Sequence, residues 1–158
     1  MYRLSFICFL FSCLMNAHSA MAFSDRGYPA APSFDKTLNK HGSYFVVRNN
    51  PGGNVARFAI KAQQLRKQGT IVRFSGRCDS ACTLYLGLPR SQMCITRGAS
   101  FRFHAPYTRS GKTAQAAHRF MHASYPGWVR SWIASKGGMT RRLITMDYAY
   151  ASNFLRQC

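Results

Sequence analysis

Two residue types that can do chemistry together stand at the ends of two elements, a serine opening one and a histidine closing the other. Ser80 lies in Cys78-Asp79-Ser80-Ala81-Cys82, and His104 lies in Phe103-His104-Ala105-Pro106. A serine hydroxyl is a poor nucleophile until a base takes its proton, so this pair points to acyl transfer. The stretch from Thr70 to Pro106 predicts elements that would present both groups. Thr70–Phe74 reads as a buried strand, about Ala81–Leu88 as an apolar helix, and about Ala99–His104 as a second strand ending on the histidine. A turn between strand and helix exposes a side chain and aims backbone N–H groups at a developing oxyanion.

The elements upstream supply a third component. Ser43–Val47 (SYFVV) is β-branched and aromatic, which predicts a strand. It runs into Arg48-Asn49-Asn50-Pro51-Gly52-Gly53, which cannot be regular structure. Asn54–Lys67 follows as a helix whose Val55, Phe58, Ala59, Ala62 and Leu65 line one face, with Asn54 as its cap and Gly69 as its end. Strand, glycine turn, helix and strand form a βα unit leading to a parallel neighbour. The fold class expected is therefore α/β with a mainly parallel sheet. Gly52 and Gly53 serve either to let a backbone N–H approach a bound group or to make a tight turn at positive φ.

Residues 1–22 carry Arg3, an apolar run Leu4–Leu14 and a small-residue exit Ala20-Met21-Ala22, the pattern of a secretory signal peptide. Phe11 is too bulky for a lipidated Cys13, and no later stretch approaches the roughly 20 apolar residues that span a bilayer. The expected organisation is leader 1–22, extended arm 23–42 and one domain 43–158, in a mature chain of about 136 residues that suffices for a single core. The location implied is periplasmic or secreted. The whole chain has a net charge of +18 and no glutamate, and only Arg3 leaves with the leader. Such a balance attracts anionic lipid or envelope polysaccharide, although scattered charges are also simply solvated. No nucleic-acid-binding motif is present.

Four cysteines remain after the leader: Cys78, Cys82, Cys94 and Cys158. In an exported domain an even number predicts two disulfides, with three possible pairings. A bridge from Cys78 or Cys82 to Cys94 or Cys158 would pin the serine turn to the core. A metal site of Cys78, Cys82, Cys94 and His104 is the competing reading, disfavoured by the loose Cys-x3-Cys spacing and the oxidising compartment. His118 and His122 stand one helical turn apart without a third ligand, and Met121, Trp128 and Trp132 read as core. No metal or cofactor is expected.

In order and spacing, the segment Ser43–Pro106 resembles the proteolytic subunit of Clp protease and the wider ClpP/crotonase fold. It also looks like exported ClpP-like proteins with a Cys-x-Ser-Ala-Cys signature. The matching residues are Asn50-Pro51-Gly52-Gly53-Asn54-Val55, Ser80 at the head of an apolar helix, and Phe103-His104-Ala105-Pro106. The resemblance implies Ser80 as nucleophile, His104 as general base, and the N–H groups of Gly53 and Ala81 as oxyanion donors. It also implies a peptide or protein substrate and allows a homo-oligomer.

The chain departs from the family in two places. Asp79-Ser80-Ala81-Cys82 replaces a Ser-Met-Gly turn. The only acid after Asp79 is Asp147, about one residue out of register, in Met139–Leu155, which reads as a helix. Asp147 would either orient His104 or pair with a nearby arginine. The readings that emerge are an exported serine hydrolase, a peptidase by its resemblance, and a catalytically silent ClpP-like domain that binds an anionic envelope partner.

Overall fold

The computed structural model describes residues 38–39 and 42–158, all within one compact unit, Pro32–Cys158. The leader expected at 1–22 lies outside the described residues, as does most of the arm expected at 23–42. The fold is α/β. Its first sheet has the order β1(Leu38–Asn39), β2(Gly42–Val47), β3(Ile71–Phe74), β5(Met93–Ile95), and its second β4(Arg77–Asp79), β6(Ser100–Phe103), β7(Ile144–Met146). The β2–β3, β3–β5 and β4–β6 pairs are parallel; β1–β2 and β6–β7 are antiparallel.

Sequence pattern explains why these strands form a core. Register places Phe45 beside Val72 and Val72 beside Met93, then Val47 beside Phe74 and Phe74 beside Ile95. Both rows are buried, and each large apolar side chain so placed is worth about 1.5–3 kcal/mol. A matching row, Cys78, Phe101 and Met146, crosses the second sheet. The rings of Phe74 and Phe101 meet edge to face at 4.9 Å and join the two sheets.

Helix α1(Val55–Lys67) forms as its periodicity predicts and buries Phe58 and Leu65. Asn54 Oδ1 accepts from the Arg57 N–H at 3.1 Å. At the other end Gly69 adopts φ +62°, its N–H donates to the Arg66 carbonyl, and the Thr70 N–H donates to the Leu65 carbonyl. That pair of bonds closes the helix with the left-handed glycine foreseen in the sequence.

Three expectations change. The apolar helix after Ser80 is a 3-10 helix, Ser80–Gly87, with Ala81 through Leu86 all buried. The segment Met139–Leu155 is not one helix: after Gly137 and Gly138, both at positive φ, Ile144–Met146 pairs with β6 and only Tyr148–Ala151 (α4) is helical. Ile144 and Met146 are buried, so pairing with β6 outweighs helix propensity there. The cysteines pair as Cys78–Cys82 and Cys94–Cys158, so no bridge ties the serine turn to a distant part of the core, and the sulfurs of the alternative metal site are consumed. The second bond, with hydrogen bonds between Ile95 and residues 156 and 158, lays the C-terminus along β5.

The aromatic segment after Pro106 folds as α2(Gln115–Ser124) and α3(Gly127–Ser135), broken at Tyr125-Pro126. Met121, Trp128 and Trp132 belong to the core. Among the described residues no helix is long and apolar enough to cross a membrane.

Burial pushes the phenols of Tyr85 and Tyr125 well above the ordinary tyrosine value. A raised folded-state value means that the stability is intact below pH about 10 and is lost as pH rises beyond it. Ultraviolet titration should therefore show Tyr85 and Tyr125 ionising only as tertiary structure is lost, and all phenols titrating together in the folded protein would contradict it.

Candidate functional site

The chain leaves β2 and reaches across to the second sheet. Asn49 takes φ +44°, and its Oδ1 accepts from the Arg77 N–H at 3.3 Å. The next residue, Asn50, is buried and bridges β4 in parallel: its N–H donates to the Arg77 carbonyl at 2.7 Å, and its carbonyl accepts from the Asp79 N–H at 2.8 Å. Its side-chain Oδ1 accepts from the Gly52 N–H at 2.9 Å. Asn50 thus welds the glycine turn to the strand that carries the serine, a role the sequence reading gave to neither asparagine. The signal available was an asparagine two residues before a glycine, the spacing of an Asx turn.

That weld brings Gly52 against the serine. A Cβ built on Gly52 would stand 2.8 Å from Ser80 Cβ and 3.0 Å from the Ala81 nitrogen, and would collide with the Asp79 carbonyl oxygen. Gly52 and Gly53 have φ +82° and +142°, so the turn needs glycine both for its conformation and for this approach. With the Gly52 N–H held by Asn50, the Gly53 N–H meets no acceptor among the described residues. Ala81 is the second residue of the 3-10 helix, where N–H groups have no intrahelical acceptor. Two backbone N–H groups without an acceptor among the described residues thus stand next to the contact between Gly52 and Ser80 in sequence, one following Gly52 and one following Ser80.

Ser80 itself is half-buried and adopts φ +53°, a left-handed conformation that costs a non-glycine residue about 1–2 kcal/mol. Its carbonyl accepts from the Thr83 hydroxyl at 2.6 Å. That proton being committed, Tyr125 O–H is the donor across the 2.6 Å contact with Thr83 Oγ1. The buried pair thereby buttresses the turn from α2's end.

His104 follows β6, the parallel neighbour of β4. Register pairs Asp79 with Arg102, so Ser80 and His104 emerge at the carboxyl ends of adjacent strands spaced about 4.8 Å apart. No hydrogen bond joins their side chains among the described residues. The imidazole is half-buried, its Nδ1 is 2.9 Å from the Ala105 carbonyl oxygen, and its ring lies 5.6 Å from that of Tyr107. A carbonyl can only accept, so this bond puts the proton on Nδ1 and leaves the Nε2 lone pair free.

The two acids have other work. Asp79 is buried between Arg77 Nε at 2.9 Å and Arg102, whose Nε donates at 2.7 Å and whose Nη2 also contacts the carboxylate. It locks β4 to β6 directly behind the serine. Asp147 Oδ1 accepts from the Tyr150 N–H at 2.9 Å and caps α4; among the described residues it touches neither His104 nor an arginine. His118 and His122 lie on α2, the first half-buried and the second exposed. An apolar groove of about 420 Å³ lies between α1 and α2, lined by Val55, Ala59 and Ile60 on one side and Ala117 and Phe120 on the other. It begins two residues beyond Gly53.

No protein-family model matches the chain, and no curated protein does either.

Two substitutions separate these roles. Gly98 is also at positive φ but has open space around it, so G98A should cost about 1 kcal/mol in urea unfolding, whereas G52A should cost several-fold more because backbone stands in the way. Equal costs would mean that Gly52 is needed for conformation alone. D147A should lose about 1 kcal/mol of stability and D147N far less, as expected of a cap; a stability effect equal in both would assign the carboxylate's charge another role.

Proposed function

We propose that this chain is a serine hydrolase, a peptidase of the ClpP-like kind, in which Ser80 attacks an acyl carbon after His104 Nε2 takes its proton. The observation that carries the reading is the left-handed Ser80 packed against Gly52, with the neighbouring Gly53 and Ala81 N–H groups uncommitted among the described residues. Strained backbone of this kind clusters at functional sites. In the proposed reaction the tetrahedral oxyanion accepts from those two donors, and the imidazolium returns its proton to the leaving amine. Water then repeats the cycle on the acyl-enzyme.

The bond from Nδ1–H to the Ala105 carbonyl takes the place of the orienting carboxylate. It fixes the tautomer but adds no negative charge, so the reaction should run slower than one supported by an aspartate. Two disulfides fit an exported, oxidising location, and the proposed ClpP/crotonase relationship rests on the order of glycine turn, serine and histidine along the βα units.

A second reading keeps the fold and gives up the chemistry: a basic module for an anionic envelope partner. It is favoured by the absence of a carboxylate on His104 among the described residues and by the net charge of +18. A fluorophosphonate probe decides between them. The hydrolase should be labelled at Ser80, labelling should vanish in S80A, and it should fall at least about 100-fold in H104A. A folded, unlabelled protein that binds anionic vesicles in a salt-sensitive manner would establish the second reading instead.

A further inference from the structure

Ser80 sits inside a covalent ring. Cys78 and Cys82, bonded to each other across a separation of four residues, enclose Asp79, Ser80 and Ala81, and both cysteines are fully buried. We propose that this disulfide is the positioning device of the serine turn: it holds Ser80 in the conformation from which the hydroxyl reacts, while the Cys94–Cys158 bond serves the fold alone. The inference rests on the hydrolase reading.

Chain dimensions give the reason. Four residues in extended conformation span about 13 Å, and a disulfide tolerates a Cα separation of at most about 6.8 Å. The observed separation is 5.4 Å. With Cys78 fixed in β4 by its bridge to Asn50 and Cys82 fixed in the first turn of the 3-10 helix, the chain must reverse within three residues, and Ser80 makes the reversal at φ +53°. The other restraints act elsewhere. Gly52 limits the space beside Ser80 without gripping it, and Thr83 holds only its carbonyl. Without the sulfur bond, Ser80 is free to leave the costly left-handed well, taking its hydroxyl away from His104 and the Ala81 N–H away from the oxyanion position. By contrast, Cys94–Cys158 closes 64 residues and fastens the C-terminus along β5.

Closing the ring removes one electron and one proton from each thiol. A disulfide oxidant accepts both electrons and both protons and leaves as a dithiol; a dithiol reductant reverses the exchange.

The test compares fluorophosphonate labelling rates of the purified full chain with those of C78S/C82S and C94S/C158S, each corrected for its folded fraction by near-ultraviolet circular dichroism. C78S/C82S should label about 100-fold more slowly and lose no further rate when H104A is added to it. C94S/C158S should melt earlier yet keep the wild-type rate and the wild-type response to H104A. Wild-type behaviour in C78S/C82S, or an equal loss in both variants, would overturn the inference. If C78S/C82S does not fold, wild-type protein is opened with a dithiol and its thiols are located by alkylation and mass. Labelling should fall when Cys78–Cys82 opens and return on reoxidation; labelling indifferent to that bond overturns the inference. A wild-type protein that takes no label removes the hydrolase reading and this inference together, whereas labelled wild type with an unaffected C78S/C82S removes the inference alone.

Discussion

Backbone meets backbone at Gly52, and the organisation of the site follows from that approach. For the glycine turn to lie against Ser80 and Ala81, the chain leaving β2 must cross to the second sheet, which it does through Asn50. The crossing in turn requires a short parallel strand, Arg77–Asp79, to receive it. A side chain at position 52 would occupy the space of the Asp79 carbonyl and Ser80 Cβ, so the constraint is steric and admits no conservative replacement.

Electrostatics reinforce the same place. In a chain with 22 basic and 4 acidic residues, Asp79 is buried and engaged by two arginines. A carboxylate so far from water is tolerable only when paired. Its partners span β4 and β6, the two strands that deliver Ser80 and His104, and so its burial holds the strand ends in register. Thr83 and Tyr125 perform the equivalent task on the other side with neutral groups.

Much of this was readable from residues alone. The amphipathic face, Asn54 and Gly69 announced α1 because helix periodicity and both end signals agreed. Ser43–Val47 and Thr70–Phe74 were readable because β-branched and aromatic runs were bounded by turn residues. Other features depend on tertiary context. Arg77–Asp79 is too short and too polar to read as a strand, and exists because Asn50 supplies half of its pairing. Ile144–Met146 sits in a sequence with good helix formers, and only contact with β6 decides otherwise. The pairing of Cys78 with Cys82 is one of three that spacing permits. At the site, serine, histidine and glycines were visible as types in an order; the left-handed serine and the committed Gly52 N–H are properties of the fold.

A crystal structure of the protein after treatment with a fluorophosphonate tests the account most directly. It should show phosphonate bonded to Ser80 Oγ, φ at Ser80 still positive, and the phosphonyl oxygen within hydrogen-bond distance of the Gly53 and Ala81 nitrogens. Unmodified Ser80 in an extended or helical conformation, with Gly52 withdrawn from it, would contradict the account.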